Sequence, residues 1–411
     1  MREIVIIGGG ASGMAAAIAA ARTGALVTVL EHNEILGKKI LSTGNGRCNL
    51  TNLNLKCEDY RGDDPAFIGE FLKGFDAPAA LEFFSSAGIY TKCRGDYVYP
   101  LCDQASAVRE ALVTELEMLG VKVRTGCHAD RIHQDKDGFL ISCRDEEVPY
   151  RASRVILAAG SRASQISGSG GSGYALAESM GHSLSPVVPA LVQLVSPKKC
   201  FKKLAGVRLT AGIVLYVNGK ITSEDTGELQ LTDYGISGIP VFQVSRYAAK
   251  ALHRKQTVLT EIDFIPQLSF KELEQELRAR QDRCGEYAAA QLLNTLFPSK
   301  LIPVLLTEAG IDRQLRAGKL SKEKLKKLVK ICKCFEVPVS ETKPFSKAQI
   351  CAGGVRTSQI CPETMESKLV KGLYITGELL DVDGICGGYN LHFAWGSGSK
   401  AGMHAAGSIR A

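Results

Sequence analysis

Apolar positions fall into three textures along this chain. At the start, Glu3–Ile7 and Leu26–Leu30 are short unbroken apolar runs, the pattern of parallel strands buried on both faces. Between them Ser12–Thr23 (SGMAAAIAAART) is Ala-rich, predicts a helix and stops at Gly24. The three pieces predict a βαβ unit. Ala105–Leu119 predicts an amphipathic helix ended by Gly120, and VKVRTG, GFLISCR and Arg154–Ala158 predict further strands. Near Pro186 the texture changes. ALVQLVS, AGIVLYVNGKIT, GELQLTDYG and TVLTEIDFI are strand-like runs separated by turns, and Asn218-Gly219 suits a primed hairpin turn. Residues 187–268 therefore predict mostly antiparallel β-structure. Residues 270–334 are rich in Lys, Glu, Leu and Ala and predict helices. GLYITGE (372–378) returns to the buried-strand texture, and the helix-like LHFAWGSGSKAGMHAAG follows.

The first and last segments thus predict one discontinuous domain with the middle inserted into it. The expected divisions are 1–186 with 345–411 as a dinucleotide-binding domain, 187–269 with 335–344 as a β-rich domain, and 270–334 as a helical domain. A length of 411 residues accords with two or three domains. Hydrophobic residues at 45% and charged residues at 23% exclude a disordered chain. The net charge of +7, from 50 Lys and Arg against 43 Asp and Glu, favours anionic ligands without indicating nucleic acid. Thirteen cysteines show no zinc spacing, and reduced cytosolic thiols are the simpler reading beside a disulfide framework. No metal site is expected. MREIVIIGGG runs directly into a strand, and the apolar run Met14–Leu30 is broken by Arg22, Thr23 and Gly24, too short to span a bilayer. The expectation is a cytoplasmic protein with no membrane partner and an open oligomeric state.

GGGASG at 8–13 carries the first chemistry. Gly8, Gly10 and Gly13 fit a G-x-G-x-x-G pattern that follows a strand, opens a helix, and has Glu31 at the end of the next strand. In such a turn Gly8 permits the bend, Gly10 lets a pyrophosphate approach, and Gly13 lets helix and strand pack. Unpaired amides at the helix N-terminus, including those of Ala11 and Ser12, face the phosphates, and Glu31 accepts from ribose hydroxyls. GKKILSTGNGRCNLTN (37–52) then turns a generic dinucleotide fingerprint toward FAD. It starts six residues past Glu31, and at up to ~3.5 Å per residue it can run the length of an extended dinucleotide. Lys39, Thr43, Gly44, Asn45, Gly46, Arg47, Cys48 and Asn49 are its candidate cofactor contacts, with Cys48 more readily a small buried side chain.

Two further strand ends add to the site. RVILAAG places Ala159 and Gly160 after a strand. GLYITGELLDVDGICGGYN offers Gly377 and Glu378 for the polyol of FAD, with Asp381 and Asp383 as competitors, and Gly387 and Gly388 open the last helix. Its N-terminal dipole would stabilise negative charge on reduced flavin. Tyr389, Asn390 and Tyr234 are the candidate catalytic residues, for substrate orientation or proton delivery, while His392 and Trp395 read as core. GSGGSG (168–173) matches the dinucleotide pattern by letter but lacks a strand before it and an acidic strand end after it. It is not read as a second nucleotide fold. The segment 313–333, with nine Lys or Arg against one Glu, reads as a solvated helix face over Leu320, Leu325, Leu328 and Ile331.

On IVIIGGGASGMAAA, the 37–52 loop, GELQLTDYGISG, AGGV (352–355) and GLYITGELLDVDGICGGYNLHFAWGSG, the whole chain resembles the BaiN/YhiN-like flavoproteins, which include aminoacetone-oxidase-like members. The resemblance implies an α/β fold: a Rossmann-type FAD-binding domain with an inserted β-barrel-like domain and a small helical domain. It also implies bound FAD. Family members are linked to amine oxidation and to reduction of C=C bonds in steroid-like acids. The family's His after Thr in the middle motif is replaced here by Asp233, and Ile239 separates Gly238 from Pro240, so a role for that His does not carry over.

The expected function is an FAD-dependent oxidoreductase in which flavin N5 exchanges hydride with a small organic molecule, with NAD(P)H as a possible co-substrate. Two other classes stand beside it: a flavin-dependent RNA-modifying enzyme, and a non-catalytic FAD-binding redox sensor.

Overall fold

The computed structural model describes residues 3–144, 146–164 and 170–410. The chain divides into two compact units, Met1–Val187 with Gln349–Ala411, and Val188–Ala348.

The first unit is built on a five-stranded parallel sheet in the order Leu373–Ile375, Arg154–Leu157, Glu3–Ile7, Leu26–Leu30, Lys122–Arg124. Ile4, Val5 and Ile6 are fully buried because the sheet is covered on both faces, which is why their run is apolar without alternation. The helix Ala11–Arg22 packs on the long terminal helix Tyr389–Arg410 almost backbone to backbone. A methyl on Gly398 would lie 2.1 Å from the Ser12 carbonyl oxygen, and one on Gly402 would lie 2.2 Å from that of Ala16. Three small antiparallel sheets are also found among the described residues of the unit: Tyr150–Ala152, Gly138–Cys143, Ala129–Asp135; Thr51–Asn52, Tyr97–Pro100, Thr91–Arg94; and Asp383–Gly384 with Tyr60–Arg61.

The second unit holds a seven-stranded antiparallel sheet in the order Phe335–Val339, Val258–Asp263, Arg208–Val217, Lys220–Leu231, Gly235–Gly238, Leu194–Val195, Glu341–Thr342. Its two edge strands, ending at Val339 and starting at Glu341, are joined through Ser340 alone. One residue spans at most ~3.5 Å, so the sheet has to curl until its edges nearly meet, which makes it barrel-like. The expected hairpin turn forms at Asn218 (φ 50°) and Gly219 (φ 77°), both left-handed as a type I′ turn requires.

Three differences from the sequence reading have physical causes. The segment 187–268, read as mostly strand, contains the 15-residue helix Ile239–His253, whose first turn holds Pro240 and whose buried stripe includes Val241, Val244 and Ala248. The helices Pro65–Gly74 and Ala77–Ser86 were also missed, although Asp64 and Asp76 cap them and Pro65 and Pro78 stand in their first turns. Finally, the helices Phe270–Arg283, Ile302–Ala309 and Lys322–Lys333 share one hydrophobic core with the barrel-like sheet, where the sequence reading separates them. On the last of these, Leu325, Leu328, Val329 and Cys332 are buried. Lys322, Lys324, Lys326, Lys327 and Lys330 are exposed, while Lys333 turns inward to pair with Asp263 at 2.6 Å.

Candidate functional site

The site lies at the carboxyl edge of the parallel sheet, where three strand ends converge. The first strand turns at Gly8 with φ of +107°, and a methyl there would meet the Ala158 carbonyl oxygen at 2.4 Å. A methyl on Gly13 would lie 1.8 Å from the Gly8 carbonyl oxygen, so this glycine lets the helix sit on the turn. Gly10 differs: a methyl on it would meet nothing within 4 Å. The turn is thus closed toward the protein at Gly8 and Gly13 and open at Gly10. Ala159 and Gly160 flank it, and Gly377 crosses the start of the helix, where a methyl would touch Ser12 Oγ at 2.6 Å.

Glu31 fastens the turn to the second strand. Its Oε2 accepts from the Gly9 amide at 2.7 Å and its Oε1 from the Asn33 amide at 2.8 Å, with His32 Nδ1 3.1 Å away. Burial pushes this carboxyl up, but the His32 hydrogen bond and the Asn33 and Gly9 amides outweigh it and hold it below 4.5. The sign follows. A depressed carboxyl stabilises the fold above its unfolded value of 4.5, and the contribution is lost as pH falls through the lower folded value. Glu31→Gln is therefore expected to flatten the acid limb of a stability-versus-pH curve measured by urea unfolding. A limb as steep as that of the native chain would refute the assignment.

The 37–52 loop is tied back by the Gly37 amide, which donates to the Gly9 carbonyl at 2.8 Å. Gly44, Asn45, Gly46 and Cys48 all have positive φ, so its tip is a run of left-handed residues with short helical turns before it. Thr43 closes the tip: its hydroxyl donates to the Ile40 carbonyl and its own carbonyl accepts from the Cys48 amide at 3.0 Å. Gly46 has open space around it and Arg47 is exposed. Cys48 is fully buried and its thiol is pushed up to about 12 by desolvation, so it is a packed thiol. Lys39 reaches across to Glu378, whose Oε2 accepts from Lys39 Nζ and from Ser161 Oγ, each at 2.6 Å. Asp381 and Asp383 are both buried.

The start of the terminal helix closes the site. A methyl on Gly388 would lie 2.7 Å from the Thr51 carbonyl and 2.9 Å from Asn49 Oδ1. That Asn49 oxygen is buried with no hydrogen-bond partner among the described residues. Asn390 is engaged with the turn itself, accepting from the Gly384 amide and donating to the Gly384 carbonyl at 3.0 Å. Tyr389 Oη donates to the Asn54 carbonyl at 3.0 Å, and burial pushes it up to about 12. Both side chains hold backbone in place. His392 is buried between Thr51 Oγ1 (2.8 Å) and the Phe75 carbonyl (3.1 Å); burial lowers it to about 4, so it stays neutral. Trp395 Nε1 donates to the Leu50 carbonyl, and these two residues pin the loop to the helix as core. Sequence reasoning overlooked Ser161 and the strand Tyr97–Pro100, whose Tyr97 and Tyr99 border the two glycine turns; the alternation of YVYP was the available signal.

Tyr234 belongs to the second unit, in the Thr232–Gly235 turn, with Lys343 Nζ 3.7 Å from its ring centroid. Of GSGGSG, Gly168 and Ser169 lie outside the described residues, and the helix Ser172–Ser179 follows. Among the described residues no His, Cys, Asp or Glu cluster is arranged to hold a metal ion, and no helix is long and apolar enough to cross a membrane.

A parallel sheet with a glycine-rich turn at its carboxyl edge, interrupted by a barrel-like antiparallel sheet, is a Rossmann-type FAD-binding domain carrying an insert. The chain belongs to the HI0933-like protein Rossmann domain family, whose pattern matches residues 2–404. It is 48% identical over 408 residues to 3-dehydro-bile acid delta(4,6)-reductase of Clostridium scindens, covering 99% of each chain. It is 29% identical over 405 residues to a ribosomal RNA dihydrouridine synthase of Haemophilus influenzae, covering 96% of each. Among solved structures, 3-ketosteroid delta1-dehydrogenase from Sterolibacterium denitrificans superposes with a TM-score of 0.50 at 12% identity, over 99% of this chain and 100% of that one, a likeness of fold.

Proposed function

We propose that this protein is an FAD-dependent reductase of a conjugated C=C bond in a 3-oxo steroid acid of the bile-acid class. The observation that carries this reading is the 48% identity, across 99% of both chains, to a reductase named for that substrate. The site's own residues suit FAD. Gly10 and Gly46 leave open backbone, and the buried Asn49 oxygen is an acceptor awaiting an N–H donor, which the pyrimidine ring of a flavin carries.

Bound FAD supplies the hydride transfer. The chain's part is to hold and polarise. Gly8, Gly10, Ala11, Ser12 and Gly13 form the pyrophosphate turn at a helix N-terminus. Glu31 takes the ribose, and Lys39, Ser161 and Glu378 make a charged, hydrogen-bonded group beside the polyol. Ala159, Gly160 and Gly377 keep the backbone close. Thr43, Gly44, Asn45, Gly46, Arg47 and Asn49 would hold the ring end, with Cys48 packed in the loop's interior. Gly387 and Gly388 present the positive end of the terminal helix, which would favour negative charge on a bound flavin. Tyr389 and Asn390 act as positioning residues that fix this turn, and the buried Asp381 is a further candidate contact for the cofactor. NADH or NADPH is the proposed electron source, and the protein is proposed to be cytoplasmic with no nucleic acid or membrane partner.

A second reading is favoured by the relatives named ribosomal RNA dihydrouridine synthase, at 29% and 27% identity. The uracil C5=C6 bond is conjugated to a carbonyl, as is a steroid Δ4 bond beside a 3-oxo group, so one hydride chemistry serves both. The test is anaerobic. The purified protein is expected to show a flavin spectrum, bleach with one nicotinamide, and be reoxidised by a 3-oxo-Δ4 steroid acid. Failure to bind flavin after reconstitution overturns the proposal, and reoxidation by uridine-containing RNA alone transfers it to the second reading.

A further inference from the structure

The three-stranded sheet Thr51–Asn52, Tyr97–Pro100, Thr91–Arg94 has two unlike faces. Thr51 and Val98 pair across it and are fully buried. Directly opposed residues of antiparallel strands share a face, so Asn52, Tyr97 and Arg94 lie together on the other side, with Tyr99 and Lys92 beside them. This second face meets both glycine turns of the site. A methyl on Gly387 would lie 2.8 Å from Tyr97 Cε1 and 3.5 Å from Asn52 Nδ2, and one on Gly44 would lie 3.8 Å from Tyr99 Cε1. Tyr97 is nevertheless 45% exposed, a large ring left uncovered at the rim of the site.

The charge on this face is divided: Asp96 and Asp59 lie toward the Tyr97 and Tyr389 end, and cations gather at the Tyr99 end. Arg94 lies over the Tyr99 ring, 5.5 Å from its centroid. Asp103 binds Lys92 at 2.5 Å and Arg94 at 2.7 Å. The Lys92 hydrogen bond, with the charges of Arg94, Lys92 and Arg47, holds the Asp103 carboxyl below its usual range. Three cations thus gather around one carboxylate, beside exposed aromatic surface. Apolar rings next to excess positive charge complement a flat apolar acid.

We propose that this sheet face is the substrate wall, on which Tyr97 carries the apolar rings while Arg94 and Arg47 hold the carboxylate of an apolar acid. This rests on the reading that FAD binds at the two glycine turns and deepens it to a substrate class and its specificity residues. Arg94 gives one Nη2 donor to Asp103, and its guanidinium carries further N–H donors for a ligand.

The experiment titrates the FAD-loaded protein with a 3-oxo-Δ4 steroid acid and with its neutral methyl ester, following the flavin absorbance change, so that binding is read without turnover. The native protein is expected to bind the acid about tenfold or more tightly than the ester, with a preference that fades as salt rises. Arg94→Gln with Arg47→Gln is expected to remove the preference while leaving the ester's affinity within about twofold. Tyr97→Ala is expected to weaken both ligands alike. Arg94→Gln alone, on the sheet and outside the cofactor loop, is the check where the double variant fails to load flavin, and it is expected to lose part of the preference. Equal binding of acid and ester by the native protein, no binding of either, or loss of both ligands in the arginine variants overturns the proposal. Acid-selective binding without reduction of the steroid leaves the wall standing and refutes the reductase reading instead.

Discussion

Gly10→Val is expected to give a folded protein that no longer holds flavin. The two parts of that outcome come from different observations. Gly10 is extended, with φ of −78° and ψ of −165°, and a Cβ there meets nothing within 4 Å, so its side chain starts into open space. The apoprotein should therefore keep its stability to within about 0.5 kcal/mol. On the proposed reading the open space belongs to the pyrophosphate, and two added methyls block its approach to the helix N-terminus. Losing that contact should weaken FAD by about two orders of magnitude or more, equivalent to ~2.8 kcal/mol. Reconstitution of the apoprotein, with flavin fluorescence as the readout and urea unfolding in parallel, measures both parts. Gly13→Val is the contrast: its side chain would collide with the Gly8 carbonyl, so it should fail in the unfolding experiment before flavin is added. A Gly10→Val protein that loads flavin normally sinks the pyrophosphate assignment.

Gly402→Ala is expected to destabilise the chain by about 3 kcal/mol, at the upper end of what overpacking costs. In an ordinary helix the same change would gain roughly 0.8 to 1 kcal/mol. The larger effect decides the sign. The new methyl would lie 2.2 Å from the Ala16 carbonyl oxygen and 3.0 Å from Ala19 Cβ, and neither backbone can yield without moving a helix that carries the dinucleotide turn. Gly398, at 2.1 Å from the Ser12 carbonyl, belongs to the same seam. Chemical denaturation of Gly402→Ala reads the result directly, and a stabilised variant would mean that the two helices lie further apart.

Much of the first unit is legible in the sequence because its signals are local. An unbroken apolar run, a Gly-rich turn and an Ala-rich helix follow one another within thirty residues, and the βαβ unit needs nothing distant to define it. The second texture was harder. Ile239–His253 was read within a β-rich segment because strands surround it, although Pro240 in its first turn was a visible start signal. The helices capped by Asp64 and Asp76 went unread for a related reason: their Asp and Pro signals were passed over between more prominent motifs.

In the site, the residue types were legible and their engagements were not. Tyr389 and Asn390 stand beside the glycine turn as expected from their position, yet Asn390 is bonded to the Gly384 backbone six residues back and Tyr389 to the Asn54 backbone, and no local pattern announces a partner 335 residues away. Glu378 illustrates the same limit, since Lys39 is 339 residues and Ser161 is 217 residues distant in sequence. Tyr97 and Arg94 escaped notice because their relation to Gly387 exists only through the sheet.

The seam between the first and last helices also orders events in time. On the ribosome, Val188–Ala348 emerges after four strands of the parallel sheet but before Leu373–Ile375 and Tyr389–Arg410. The insert has its own core and can fold at once. The earlier segment waits with one sheet edge unpaired and the Ser12–Ala16 backbone uncovered, exposed to chaperones and to neighbouring chains. Cofactor loading is therefore a late step of biogenesis, and the yield of active protein should depend on flavin supply and holding factors after translation of residue 402.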